Sequence, residues 1–363
     1  MATTDSAQLK LWVYRGNFGD KDSSNPDYII TKTRLSTETK IIFEIGELIQ
    51  DYIKIYFDGD YSTIEQTAWV EWEITKTLSD ESQEVVNGSG IAFDGYGYFE
   101  DGINPQLSYG LLQSNKTMYV KSGDNPYIPV FVGNGGNGTF QVKYYSGSTL
   151  LSTITLGNTV TPLTVDTTSI RADSTLYTAD MTQILNQSSS STVGGIVAQG
   201  SPDRVVITDV NGNEEVVYVK YIEECKQTPY KVSFLNKFGV VQPIYFFKRR
   251  DEYVDVTKDS YYVNTVERRE SSLYYSLNKP SKNIFNVEAG KRIKMNTGFV
   301  DEGFNQVIQE LIMTDQAWIE EDGVSYPIIP TTKSLQYKTS LNEKLINFTV
   351  EFEYAYTEIN LIR

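Results

Sequence analysis

The stretch AFDGYGYFEDGINPQ, Ala92 to Gln106, gathers the residues of this chain best suited to chemistry. Asp94, Glu100 and Asp101 could divide acid and base work between them, as paired carboxylates do in glycoside hydrolysis, given the right separation. Tyr96, Tyr98 and Phe99 are ring-bearing residues that stack on sugars or fill a protein interface, so they form a candidate glycan platform or contact surface. A Gly-Tyr-Gly-Tyr-Phe run is also what a strand packed tightly on a neighbour requires, and carboxylates near turns are common. The structural reading of this stretch therefore comes first.

Elsewhere the chemistry is thin. The chain of 363 residues contains no histidine. That removes the usual neutral-pH base, the nucleophile–histidine arrangements and the commonest metal ligand. Cys225 is the single cysteine, so no internal disulfide forms; with no histidine to activate it, it is expected as a small core residue. In GDKDSSNPD, Asp20, Asp22, Asn25 and Asp27 lie close together, but the glycine and glutamate that close a calcium loop are missing, which predicts a plain polar turn. There is no phosphate-cradling Gly-rich loop, no dinucleotide fingerprint and no nucleophile elbow between a strand and a helix. The chain is expected to be no enzyme and to hold no cofactor or metal.

The elements that must position these residues are mostly strands. QLKLWVYR (Gln8–Arg15) and AWVEWEIT (Ala68–Thr75) alternate; in the second, Val70, Trp72 and Ile74 share one face and Trp69, Glu71 and Glu73 the other. In INFTVEFEYAY, Ile346, Phe348, Val350, Phe352, Tyr354 and Tyr356 all fall on one face, which is a strand with one buried side. With the preceding SLQYKTSLNEKL it reads as a hairpin turning near Asn342–Lys344. KVSFLNKFGVVQPIYFFKRR reads as another, with Gly239 in the turn and Pro243 placing the return strand at an edge or a bulge.

Two segments carry helical spacing. Phe304, Val307, Ile308, Leu311 and Ile312 form one stripe, with Asn305, Gln306, Gln309 and Glu310 expected on the solvent side. Ile45, Leu48, Ile49, Tyr52 and Ile53 form a second. Helices this short are marginal alone, so each is expected to pack on a sheet and close a sandwich or barrel. The middle has a different texture. GNGGNG and NQSSSSTVGGIVAQGSP are flexible by composition and bracket a candidate hairpin, TFQVKYYSGSTLLSTITLG; Asn211-Gly212 marks a further hairpin turn.

The predicted fold is mainly β: two β-sandwich-like domains with two short amphipathic helices and a Gly/Ser-rich middle. The expected division is 1–132 for an N-terminal β domain, 133–202 for an insertion with a hairpin, and 203–363 for a C-terminal β domain with one helix.

Net charge is -15, which opposes holding nucleic acid by counterion release. The short basic clusters Lys248–Arg250, Arg268-Arg269 and Lys291-Arg292 read as solvated strand ends. No apolar run is long enough for a membrane span, and MATTDSAQLK lacks the basic start and apolar core of a secretory signal. The 26 tyrosines favour a building block or a binder, since interfaces use residues with an apolar body and a polar tip.

The segments FEIGELIQDYI, AFDGYGYFEDGINP, YKVSFLNKFGVVQPIYFFKRRDEY, MNTGFVDEGFNQVIQELIMTDQAWI and TKSLQYKTSLNEKLINFTVEFEYAYTEINLIR resemble virion tail and neck ring proteins of crAss-like short-tailed bacteriophages of Bacteroidetes. They span most of the chain outside the Gly/Ser-rich middle. The resemblance implies a β-rich structural subunit in the phage tail, assembled in the bacterial cytoplasm into a homo-oligomeric ring. Its partners would be other tail, portal or fibre proteins, with genomic DNA passing through without specific binding. It carries over no catalytic residues. The alternative is a carbohydrate-binding tail-fibre or receptor-binding protein using Tyr96, Tyr98 and Phe99.

Overall fold

Alternation sets the first layer. The computed structural model describes residues 4–15, 21–35, 37, 40–53, 55–59, 67–101, 110–113, 115–124, 126–131, 140–156, 176–178, 202–208, 211–270, 272–337 and 346–357. Strands β1 (Thr4–Tyr14), β2 (Tyr28–Thr33), β3 (Thr67–Leu78) and β4 (Gln83–Phe93) form an antiparallel sheet in the order β2-β1-β3-β4. Leu9, Leu11 and Val13 pair with Ile74, Trp72 and Val70, so both strands present their apolar residues to the same side. Helix α1 (Gly46–Gln50) is only five residues long, shorter than the stripe that predicted it. The chain beyond it keeps to the stripe's purpose: Ile49, Ile53, Ile55 and Phe57 are all buried against Leu9, Leu11, Val13 and Val70.

The second layer is a five-stranded sheet, in the order β6 (Thr117–Lys121), β12 (Glu214–Ile222), β11 (Arg204–Thr208), β8 (Phe140–Ser146), β9 (Thr149–Leu156). Only the β6–β12 pair is parallel. The hairpin expected in the middle of the chain is β8–β9, and Gly212 turns β11 into β12 at φ +85°, a backbone state natural to glycine. This sheet takes strands from all three segments of the expected division. A small sheet joins β5 (Gly110–Leu111), β7 (Pro129–Phe131) and β10 (Leu176–Thr178). The Gly/Ser-rich stretches at 133–138 and 186–200 lie outside the described residues.

The third sheet organises the rest. Its order is β14 (Val241–Phe246), β13 (Tyr230–Leu235), β19 (Ala317–Glu321), β20 (Val324–Pro330), β21 (Thr349–Tyr354), β18 (Lys282–Asn296), β15 (Arg250–Tyr262), all antiparallel. Pro243 sits on β14, the edge strand, where its missing N–H costs no ladder bond. Successive residues go to opposite cores. Phe234, Ala317 and Ile319 join one cluster with Ile293, Met295, Val350 and Phe352; Leu235, Val241 and Trp318 join the N-terminal one, where the Phe57 and Trp318 rings meet edge to face at 5.4 Å. Every residue of β14 is buried, as a strand covered on both faces requires.

Helix α2 (Phe304–Met313) bridges the five- and seven-stranded sheets. Phe304 meets Tyr119 of β6 edge to face at 5.8 Å, and the Asp301 N–H donates to the Tyr119 hydroxyl at 2.8 Å. Phe304, Val307, Ile308 and Leu311 are buried and Ile312 partly so, as the stripe predicts. The opposite side departs from expectation. Asn305 and Glu310 are buried: the turn at 236–240 lies over Glu310 and donates the Lys237 N–H to its Oε2, and on the other flank the Asn305 amide donates to the Glu302 carbonyl. A helical wheel assumes one packing partner, and this helix has two.

Other corrections are local. Ser334–Tyr337 forms no strand, and the described partners of β21 are β18 and β20; the turn expected near Asn342 lies outside the described residues. Cys225 is exposed, since the chain leaves the sheet after Ile222. Arg250 is not a solvated strand end. Its side chain is 7% exposed, ion-paired with Glu321 and bonded to the Tyr354 hydroxyl, over the Tyr230 ring. Asp22 accepts from the Ser24 N–H and the Asn25 amide, closing the polar turn its sequence predicted.

Replacing Leu311 by Asp should lower stability by about 4 kcal/mol, by burying an unpartnered charge. Gln306→Glu, on the half-exposed flank, should stay within about 0.5 kcal/mol. Glu310→Lys should resemble Leu311→Asp rather than Gln306→Glu. Denaturant melts of the three variants check this; a silent Glu310→Lys would return that flank to solvent.

Candidate functional site

The part of the carboxylate and aromatic stretch from Asp94 to Tyr96 is laid across the β13–β14 turn, and residues 102–106 lie outside the described residues. The Tyr96 N–H donates to the Lys237 carbonyl at 2.8 Å. A Cβ on Gly239 (φ +73°) would fall 2.5 Å from the Asp94 backbone, so this close crossing depends on glycine. Asp94 is bonded by the Gln50 amide and lies in the field of Asp315; burial, with Asp315 adding, raises its carboxyl above the ordinary range against the pull of Gln50. Glu100 lies on the exposed turn Phe99–Asp101. Asp94 therefore faces Gln50 and Asp315, and the Asp101 side chain lies outside the described ones.

The three rings at this place differ. Tyr96 and Tyr98 meet edge to face at 5.9 Å, interplanar angle 87°, both partly buried, and burial followed by the proximity of Tyr98 and Glu310 pushes the Tyr96 phenol well up. The Lys237 ammonium lies 5.8 Å from the Tyr98 ring. Phe99 stands fully in solvent. Perpendicular half-buried rings pack a turn, and Phe99 is left to offer a face to a partner. Among the described residues no three His, Cys, Asp or Glu side chains gather as a metal would need, and no helix is long and apolar enough to cross a membrane.

A run of exposed apolar residues lies elsewhere, in β15 and β18. Strand β21 pairs with β18 only from Arg292 to Asn296, so residues 282–291 have β15 as their sole strand partner among the described residues. Ten residues at 3.3–3.4 Å each carry this two-stranded arm roughly 33 Å beyond the sheet. The Val263 N–H continues the pairing to Ser281, and β16 (Val266–Arg269) with β17 (Ser272–Tyr275) forms the tip. Phe285 is the extra residue of a bulge, where the register steps from Asp259↔Asn286 to Ser260↔Ile284; such a step adds twist.

The two faces of the arm are chemically different. One carries Asp255, Asp259 and Glu288 with their partners: Arg292 pairs with Asp255, and Asn286 bonds Asp259 and Glu288. The other continues the face of Ile293 and Met295 out of the core. It presents Val254, Val256, Val287, Ile284 and Tyr262, interleaved with Lys258, Lys282 and Lys291, and carries no carboxylate beyond Glu252 at the base. Tyr262 is 79% exposed. The tip repeats the division. Glu267 is bonded by Tyr274 and Lys279, whereas Val266, Arg268, Leu273 and Tyr275 share the other face and are exposed. Residues 250–296 hold nine Lys/Arg and seven Asp/Glu, a net +2 in a chain of net -15, leaving -17 on the remainder.

A two-stranded ribbon is marginal in water, and contiguous exposed apolar residues mark contact surfaces. The sequence signal for the arm is the alternation in EYVDVTKDSYY, which polar residues on the apolar side weaken. The chain matches no protein-family model, no curated protein and no solved structure.

Two outcomes follow from these environments. Asp94 titrates higher folded than unfolded, so the stability it supports is full below the unfolded value and lost as pH rises through the folded one. Asp94→Asn should therefore melt above the parent at pH 7, with the difference closing below about pH 4; a pH series of melting curves reads this. At the base of the arm, Arg250→Ala strands the half-buried Glu321 carboxylate and should cost about 3 kcal/mol. Arg292→Ala, which breaks an exposed and solvent-screened pair, should leave the same melts close to the parent's.

Proposed function

We propose that this protein is a structural subunit of a bacteriophage tail that assembles with copies of itself into a ring around the DNA channel. The observation that carries self-assembly is the arm: an amphipathic ribbon, basic and apolar on one face, attached to an acidic body. Attribution to a phage tail rests on the sequence resemblance. The net charge fits a channel past which DNA slides, because like charge removes the counterion-release drive for sticking. Other tail, portal or fibre proteins would be its further neighbours.

A ring needs a heterologous contact, in which one patch meets a different patch and rotation closes the circle. Bodies of net -15 repel, so the free subunit should stay monomeric at low salt and associate as salt shortens the range of that repulsion. Light scattering over a salt series measures this, and electron microscopy of virions locates the ring. A trimeric fibre, or absence from the virion, would sink the reading. The fully exposed Phe99 beside Tyr98 favours one second reading, a glycan-binding tail-fibre protein. Glycan-array binding abolished by Phe99→Ala would move that reading ahead.

A further inference from the structure

The apolar face of the arm tip has a counterpart in shape and charge on the body of the same chain. Between the N-terminal layer and the outer face of β19 and β20 runs an open groove of about 730 Å³, walled by Tyr56, Asp58, Asp315, Trp318, Pro327 and Ile329. Its charged lining residues are Asp58 and Asp315, both carboxylates, and Tyr56 and Ile329 are exposed within it. The tip presents the converse. Val266, Leu273 and Tyr275 are exposed around Arg268, which has no ion pair among the described residues. The tip cannot reach its own groove, since ten paired residues hold it roughly 33 Å from the sheet and a β ribbon does not fold back on its base.

We propose that the tip face formed by Val266, Arg268, Leu273 and Tyr275 docks in the Asp315 groove of a second copy of this chain. This contact rests on the ring reading and supplies it with the two unlike patches a closed ring needs. Leu273 and Tyr275 fill the apolar floor, and Arg268 meets the groove's carboxylates away from bulk water, where a charge pair also fixes register. The lysines on the apolar side of the arm, Lys258 and Lys282, then run over an acidic neighbour instead of solvent.

Charge exchange tests the pairing on the full chain. Arg268→Glu alters an exposed residue, so that monomer should melt like the parent, and Asp315→Arg, which removes a carboxylate from the field of Asp94, should melt at or above it. Each single variant should weaken self-association by about tenfold or more, and the double variant should recover it, measured by sedimentation at a salt concentration where the parent assembles. An Arg268→Glu protein that assembles like the parent, or a double variant that stays dissociated, overturns the docking and leaves the ring reading standing. A parent that is monomeric at every salt concentration overturns both. Binding of a short DNA duplex by the parent, lost in Arg268→Glu, would assign the tip to nucleic acid and overturn the docking.

Discussion

A sheet has two faces, and in this protein both faces of the seven-stranded sheet must be kept from water along β13, β14 and β19. Ala317 and Ile319 turn one way and Trp318 the other, and both directions are apolar. That single requirement recruits the other layers. Helix α2 and the five-stranded sheet cover one side; β1, β3 and the segment from Ile49 to Phe57 cover the other. Neither cover would be stable by itself, because a five-residue helix and an open four-stranded sheet bury too little surface alone.

The same requirement lapses at the far side of the sheet. Beyond Arg292, among the described residues, no strand but β15 flanks β18 and no layer covers β15, yet the side of the ribbon continuous with the core presents apolar residues as far as Tyr262. Polar groups on the opposite side are already satisfied within the ribbon, by Arg292 with Asp255 and Asn286 with Asp259. The valine side is thus unsatisfied and cationic where the body is anionic, while Tyr253 and Tyr261 stand exposed on the acidic side. Burying it against a neighbour gains apolar area without stranding a carboxylate, which is the arrangement favourable at an interface.

Much of this was legible in the sequence where one partner decides burial. The strict alternation of β21, the Pro243 edge and the stripe from Phe304 to Leu311 each follow from a period and a single packing surface. Legibility failed where two partners compete. Glu310 lies on the polar side of its helix and is buried by the Lys237 turn, a contact between positions far apart in the chain. Arg250 looks like a charged strand end and is held between Tyr230 and Glu321. At the candidate site, Tyr96 and Tyr98 were readable as aromatic neighbours, but their perpendicular setting comes from the turn beneath them. The arm was missed because lysines interleave with its valines, a pattern that only a paired ribbon in three dimensions resolves into two faces.

The edges of the seven-stranded sheet differ in a way that bears on solubility. β14 is closed off by Pro243 and lies beside β6, while among the described residues no strand pairs with the outer row of N–H and C=O groups of β15. An open edge invites a second β15 to zip alongside and seed fibrous aggregates. The residues along it oppose that pairing. Antiparallel alignment about Asp255 would set Asp255 against Asp255 and Asp251 against Asp259, like charges directly across a ladder. At high concentration this strand lets many copies of the chain carry a bare backbone edge without sticking to one another side by side.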